Sequence, residues 1–163
     1  MATTALGDTP AQTIGDLPAV GDQAPAFTLV ADDLSEFSLA DLPGRKIISI
    51  FPSIGTGVCQ ASVRRFNELA GGAEDTTVLN VSVDLPFALS GFCAAEGLEN
   101  VKVGSAFRST FGEDYGVTLT DTKFQGLLAR AVVVVGSDGT VLHSELVPQI
   151  GQEPDYDAAL AAR

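Results

Sequence analysis

The chain contains 163 residues, of which 45% are hydrophobic and 18% are charged, and its net charge is −12 at pH 7. This length and composition predict a single globular domain over residues 1–163 with enough apolar side chains for a core. So acidic a chain repels phosphate backbones and anionic lipids, which argues against nucleic-acid and membrane partners. Two cysteines and one histidine cannot complete a four-ligand zinc site, and we expect neither a metal nor a cofactor.

The beginning of the chain has no basic segment followed by a long apolar run, which favours a cytoplasmic protein. No stretch approaches the ~18 consecutive apolar residues of a transmembrane helix. In the cytoplasm a cysteine pair more often serves catalysis, metal binding or redox chemistry than structure. In an exported protein, Cys59 and Cys93 could instead form a structural disulfide. The residues alone leave both alternatives open.

The first part of the chain is predicted to be mainly β-structure. Residues 1–23 form an N-terminal β extension in which Gly7-Asp8 is a plausible hairpin turn. Lys46–Phe51 is a β-branched run, typical of a central strand that is buried on both faces. The strands predicted before it are Thr3–Leu6, Gln12–Ile14, Phe27–Val30 and Glu36–Leu39.

A helix is predicted over Val58–Ala70, after a loop that contains two glycines, and Gly71-Gly72 ends it. Its apolar stripe has the helical period and consists of Cys59, Val63, Phe66 and Ala70. The remaining predicted elements are strands at Thr76–Val83, Asn100–Val103, Arg130–Val135 and Thr140–Leu146, and helices at Leu85–Ala95, Ser109–Tyr115 and Asp155–Ala162.

The order of these elements predicts the fold class. Strands alternate with helices and are followed by a hairpin and a last helix, which indicates an α/β sandwich with a mixed central sheet. The pattern is compatible with a thioredoxin-like fold that carries an N-terminal β-hairpin extension. The pattern by itself does not separate this fold from a small flavodoxin-like sheet.

Cys59 is the strongest candidate for a reactive residue. It lies in the first turn of the predicted helix, where free N–H groups and the positive end of the helix dipole favour the thiolate. The thiolate is the nucleophilic form of cysteine, and Thr56 is the expected N-cap beside it. The alternative is that Cys59 is a small apolar residue of the buried stripe. Position alone weighs these two interpretations about equally.

Cys59-Gln-Ala-Ser62 has the spacing of the C-x-x-C motif of disulfide oxidoreductases, but a serine replaces the second cysteine. A dithiol exchange within the motif is therefore impossible. A monothiol relative would usually carry aromatic and proline neighbours that this loop lacks.

The segment Pro52-x-x-x-Thr56-x-x-Cys59 matches the P-x-x-x-[TS]-x-x-C signature of peroxiredoxins. The chain resembles the thiol peroxidase (Tpx) subfamily, of the atypical two-cysteine type, over nearly its whole length. Five blocks match in the same order: APAFTLVADDLSEFSL, FPSIGTGVCQASVRRFNELA, VDLPFALSGFCAAEGLENV, GLLARAVVVV and EPDYDAALA.

The resemblance implies a role for each matched residue. Cys59 would be the peroxidatic cysteine that attacks a hydroperoxide, Thr56 would bind the peroxide oxygens, and Pro52 would shield the site from water. Arg130 would favour the thiolate and stabilise negative charge on the peroxide. A guanidinium that opens an apolar strand is costly to bury without a partner. Without the family, a strand-end arginine that points to solvent would be the first interpretation of Arg130.

The resemblance also implies that Cys93 is the resolving cysteine, which captures the sulfenic acid of Cys59 as an intrasubunit disulfide. Reduced thioredoxin would then recycle the disulfide, and the protein would be a homodimer. Without the family, Cys93 reads as a small residue on an apolar helix face. Because the two cysteines lie on different helices, we expect the segments Gly55–Ser62 and Ser90–Gly97 to rearrange on oxidation.

The chain departs from the family pattern at Gly55, where an acidic residue usually precedes the active-site threonine. We expect a looser loop and easier ionisation of Cys59, with activity retained. The alternative function is a non-catalytic thioredoxin-fold module with a regulatory Cys59–Cys93 disulfide. Such a switch needs none of Pro52, Thr56 and Arg130. A protein with a purely structural disulfide ranks third.

Overall fold

The computed structural model describes residues 1–163 as thirteen regular strands and helices, with one 3₁₀ turn at Leu39–Asp41. The strands are β1 (Thr3–Leu6), β2 (Thr9–Gln12), β3 (Thr28–Val30), β4 (Glu36–Ser38), β5 (Arg45–Ile50), β6 (Thr76–Ser82), β7 (Lys102–Ser105), β8 (Ala131–Val135) and β9 (Val141–Leu146). The helices are α1 (Gly57–Ala70), α2 (Pro86–Glu96), α3 (Phe111–Asp114) and α4 (Tyr156–Ala161). None of these helices is both long and apolar enough to cross a lipid bilayer.

The central sheet has seven strands in the order β4-β3-β7-β6-β5-β8-β9. Strand β5 pairs in parallel with β6 and antiparallel with β8, and all six of its residues are buried. The mixed sheet and the central position of this strand confirm the predicted architecture. A flavodoxin-like sheet is excluded because the core strands of that fold are parallel, whereas β5 pairs antiparallel with β8 here.

The N-terminal extension is a separate two-stranded hairpin of β1 and β2. The predicted second strand, Gln12–Ile14, is wrong by three residues at its start. Thr9 pairs with Leu6 directly across the two-residue turn Gly7-Asp8, so the second strand begins at Thr9 and ends at Gln12. Gly7 has a φ of +62°, a conformation that glycine adopts without steric cost.

Most other boundaries differ from the predictions by one or two residues, and two of these differences have a visible cause. The strand expected at Asn100–Val103 runs over Lys102–Ser105 instead. The reason is that Asn100 is held by α1, since its N–H donates to Asn67 Oδ1 at 2.9 Å. The strand expected at Glu36–Leu39 ends at Ser38, where the side chain of Asp41 accepts a hydrogen bond from the Ser38 N–H and starts the 3₁₀ turn.

Apolar side chains pack on both faces of the sheet. The larger cluster lies between the sheet and the segment around α3, and a second one lies under α1 and α4. A third cluster, which we call the α1–α2 cluster, joins the starts of the two long helices. It consists of Phe51, Ile54, Cys59, Val63 and Leu89, with Phe92, Cys93, Leu98, Val101 and Val103 packed against it.

Candidate active site

Cys59 lies at the start of α1, directly after the loop that follows β5. Thr56 is the N-cap of the helix, and its Oγ1 accepts a hydrogen bond from the Cys59 N–H at 3.4 Å. Cys59 is fully buried, and Pro52 of the preceding loop is buried as well. The sulfur therefore lies out of contact with solvent, near the positive end of the dipole of α1.

Arg130 immediately precedes β8 and is only 3% exposed, so the interpretation as a solvent-facing strand end is wrong. Its Nη2 donates a hydrogen bond to Cys59 Sγ at 3.2 Å, and its Nε donates to the carbonyl of Ile150 at 2.7 Å. Its Nη1 is buried and has no hydrogen-bond partner. Arg130 forms no salt bridge with a carboxylate, so no acidic side chain neutralises its charge beside the sulfur.

Asp84 is a site residue that sequence reasoning missed. It follows β6, and its Oδ1 accepts a hydrogen bond from Ser53 Oγ at 2.8 Å. Its Oδ2 accepts from the Ile54 N–H at 2.7 Å and from Ser82 Oγ at 2.5 Å. A single carboxylate thus holds the loop before α1 against the end of β6. The available signal was an acidic residue at the end of a buried strand, two residues before a proline-started helix.

Gly55 is exposed and does not have a positive φ. A Cβ at this position would contact Ser53 Oγ at 3.4 Å, an ordinary van der Waals distance. The backbone therefore does not require glycine here. An L-residue with a side chain, as in the family pattern, would therefore fit the same backbone at this position.

Cys93 lies on α2 and is partly exposed, with one side packed against the α1–α2 cluster that contains Cys59. Both cysteines are free thiols in this structure. Partial burial raises the pKa of the Cys93 thiol, because the thiolate loses hydration there. The arrangement brings both cysteines to one apolar cluster, although they are far apart in the sequence.

Arg64 links the helices that carry the two cysteines. It lies on the outer face of α1, with its guanidinium 5.4 Å from the centre of the Phe92 ring and in a salt bridge with Glu96. Phe92 and Glu96 flank Cys93 on α2. Arg64 therefore connects α1 to α2 on the side of α2 that carries Phe92 and Glu96.

A groove of about 540 Å³ opens beside α2, and Cys93 is one of the residues that line it. Its other walls come from the loop between β3 and β4 and from the segment that leads into β7. Asp32, Asp33 and Glu99 make the lining acidic, and Lys102 contributes one positive charge. Cys93 can thus be approached from outside, whereas Cys59 is covered.

The chain combines a mixed sheet, a buried cysteine at the start of α1 and an arginine that donates a hydrogen bond to its sulfur. The sequence profile of the redoxin family matches residues 19–160, and the chain belongs to this family. It is 55% identical over 163 residues to the thiol peroxidase of Corynebacterium glutamicum, with 99% of each chain covered. It is 56% identical to that of Mycobacterium tuberculosis H37Rv, with 99% of this chain and 98% of the relative covered.

A solved structure shares the fold closely. The peroxiredoxin-like protein of Aquifex aeolicus superposes with a TM-score of 0.91 at 37% identity, covering 98% of this chain and 94% of that one. The chain is a thiol-dependent peroxidase with a thioredoxin-like fold. The predicted family, fold class and enzyme activity are confirmed.

Proposed function

We propose that Cys59 is the peroxidatic cysteine of this peroxidase. The observation that supports this most directly is the hydrogen bond from Arg130 Nη2 to Cys59 Sγ beside the unpartnered Nη1 of the same guanidinium. The Cys59 thiolate attacks the terminal oxygen of a hydroperoxide. A sulfur–oxygen bond forms, the oxygen–oxygen bond breaks, and the alcohol or water leaves after protonation. The products are the sulfenic acid and the reduced peroxide.

Three residues assist this step in the proposal. Arg130 stabilises the negative charge that moves from sulfur to the leaving oxygen, and its free Nη1 is a donor for the peroxide. Thr56 Oγ1 supplies a hydrogen-bonding group one helical turn from the sulfur. Pro52 contributes a buried apolar wall that excludes water. These roles agree with the residue types: a fixed cation, a hydroxyl and a side chain without a donor.

We propose further that Cys93 resolves the sulfenic acid. The Cys93 thiolate attacks Cys59 Sγ, a disulfide forms, and hydroxide leaves and is protonated to water. Cys59 is fully buried at the start of α1 and Cys93 lies on α2, and the proposal includes movement of the backbone when the disulfide closes. The segments Gly55–Ser62 and Ser90–Gly97 are those proposed to rearrange. Gly91 is exposed, with open space at its Cβ position, and a glycine within a helix lowers the stability of α2 at this point.

A dithiol reductant of the thioredoxin type completes the proposed cycle. It attacks the sulfur of Cys93, which is accessible from the groove, and expels the Cys59 thiolate toward Arg130. Thiol–disulfide exchange is faster when the leaving thiolate is the better stabilised one. The second thiol of the reductant then releases Cys93 and leaves the reductant oxidised.

We also propose that the protein is a cytoplasmic homodimer. Leu85, Phe87 and Phe107 are exposed apolar side chains near the site, and a second copy is the occupant that we propose for them. Their segments are joined by a hydrogen bond from Ser105 Oγ to the Asp84 carbonyl. A reversible cysteine pair suits a reducing compartment.

The test is the intact mass of reduced protein after one equivalent of hydrogen peroxide. The proposal predicts loss of two hydrogens from the monomer. In a Cys93→Ser variant it predicts gain of one oxygen at Cys59, which a sulfenic-acid reagent traps. A Cys59→Ser variant that consumes peroxide at the unmodified rate would contradict the assignment.

The alternative of a regulatory disulfide module is tested with thioredoxin, its reductase and NADPH. An enzyme oxidises NADPH for as long as peroxide is present, whereas a switch turns over once and stops. The observation against the alternative is Arg130, since a switch does not need a buried guanidinium on the sulfur.

A further inference from the structure

The loop after β9, residues 147–150, holds Arg130 from two sides. The Val147 N–H donates to the Arg130 carbonyl at 3.0 Å, and Arg130 Nε donates to the Ile150 carbonyl at 2.7 Å. The first hydrogen bond fixes the backbone of the arginine, and the second fixes its guanidinium. With Nε tied to Ile150, the fork of the guanidinium points its Nη2 at the sulfur.

This loop lies outside the sheet, and Pro148 within it has no N–H to donate. Its other two anchors come from β1 of the N-terminal hairpin. Thr4 Oγ1 donates to the Val147 carbonyl at 2.7 Å, and the Ile150 N–H donates to the Ala5 carbonyl at 2.9 Å. Thr4 is 3% exposed, so this hydrogen bond is shielded from water. Consecutive residues of β1 thus hold both ends of the loop that holds Arg130.

Strand β2 contacts the chain segment that precedes Arg130. Ala11 of β2 is fully buried in a small cluster with Leu119, Ala129 and Ile150. The hairpin is also hydrogen-bonded to the segment before β8: the Thr120 N–H donates to the Gln12 carbonyl at 2.9 Å, and the Gln12 N–H donates to Asp121 Oδ1 at 2.9 Å. The loop of residues 147–150 and the segment before Arg130 therefore both pack against the hairpin.

The redoxin profile begins at residue 19, after the hairpin, so the hairpin is an addition to the part that the profile describes. A two-stranded hairpin is marginally stable alone, and this one is ordered through its contacts with the Arg130 segments. We propose that the N-terminal hairpin positions Arg130 for the peroxide reaction, with Thr4 as the positioning residue. The inference rests on the proposed role of Arg130 at Cys59.

Positioning matters here because the reaction depends on the fixed geometry of a donor at the sulfur. A displacement of about 1 Å in a catalytic group can reduce a rate by as much as ~100-fold. Loss of the Thr4 hydroxyl leaves the Val147 carbonyl buried without a partner, and the loop shifts to reach another donor or water. The guanidinium moves with Ile150, and its hold on Cys59 weakens.

The test compares Thr4→Val, which has nearly the same shape but no hydroxyl, with Thr4→Ser, which keeps the hydroxyl. Thr3→Val is the matched control, because Thr3 is exposed on the same strand. The first turnover with hydrogen peroxide is followed by rapid quench and mass spectrometry over a range of pH. We expect Thr4→Val to be about 3–10-fold slower, with its pH profile displaced to higher pH. Thr4→Ser and Thr3→Val should stay within about twofold of the unmodified protein.

The same substitution is then made in an Arg130→Lys background, where lysine offers no Nε donor to Ile150. If Thr4 acts through Arg130, Thr4→Val adds no further loss there. An equal loss in both backgrounds, or an unchanged rate and pH profile with only a lower melting temperature, overturns the inference. If Arg130→Lys alone is as fast as the unmodified protein, it is the proposed role of Arg130 that fails. If Thr4→Val does not fold, Ala11→Gly provides the same test through β2, with the same expected displacement and the same refutation.

Discussion

The carboxylate of Asp84 provides a sharp test of how the loop before α1 is held. Asp84→Ala removes the acceptor of three hydrogen bonds, from Ser53 Oγ, the Ile54 N–H and Ser82 Oγ. Each hydrogen bond to a charged group contributes about 1.5–3 kcal/mol, and partial exposure reduces the sum. We expect the free energy of unfolding to fall by about 2–4 kcal/mol. The peroxide step should slow as well, because the segment that leads to Cys59 loses its anchor.

The assay combines urea unfolding with first-turnover kinetics for the peroxide reaction. Asp41→Ala is the matched control, since its exposed carboxylate accepts hydrogen bonds from the Ser38 N–H and Oγ away from the site. Its loss should cost about 1 kcal/mol with no change in rate. Asp84→Asn should lie between, because an amide oxygen keeps one acceptor position. If Asp84→Ala unfolds more easily but reacts with peroxide at the unmodified rate, Asp84 holds only the fold and the reasoning is refuted.

Three further predictions concern the two cysteines and their neighbours. Arg130→Lys should slow the peroxide step about 10–150-fold in stopped-flow measurements, because it disturbs the hydrogen bond to Cys59 Sγ. The control Arg65→Lys, at an exposed arginine, should not change the rate. Equal rates for the two variants would contradict the role of that hydrogen bond. Disulfide formation should accelerate as the pH rises beyond about 8.5, the ordinary pKa of a cysteine. The reason is that the raised pKa of Cys93 keeps its side chain a neutral thiol below that pH. A rate that does not change with pH in quenched-flow mass measurements would be inconsistent with this. Arg64→Ala should speed disulfide formation, because it removes contacts that hold α2 against α1. Hydrogen exchange of the Cys93 amide should become faster in parallel. Slower disulfide formation would contradict this and show that Arg64 guides α2 instead of restraining it.

Local sequence was sufficient for the features that depend on neighbouring residues. The helix at α1 with Thr56 as its N-cap follows from the apolar period and the capping residue. The turn at Gly7-Asp8 was also predictable, but the register across it was not, because it depends on which residues pair after the turn. The central position of β5 followed from its run of β-branched residues, Ile47, Ile48 and Ile50.

The site required contacts between distant parts of the chain, which no local pattern encodes. Arg130 and Cys59 are brought together by the pairing of β5 with β8, and residues alone favoured an arginine in solvent. Only the resemblance to a family indicated otherwise. Neither the local sequence pattern nor the resemblance indicated Asp84. An acidic residue after a strand is common, and the three groups that donate hydrogen bonds to Asp84 come from two different segments.

The unshared positive charge of Arg130 lies in a molecule whose net charge is −12. An anionic hydroperoxide is repelled by the molecule at long range and attracted only at the buried guanidinium, whereas hydrogen peroxide and neutral alkyl hydroperoxides are not repelled. Added salt screens the outer field over about 8–10 Å but hardly reaches the buried pair. Turnover of anionic hydroperoxides should therefore rise with ionic strength, while that of uncharged ones stays constant. We expect this distribution of charge to favour uncharged hydroperoxides over anionic ones as substrates.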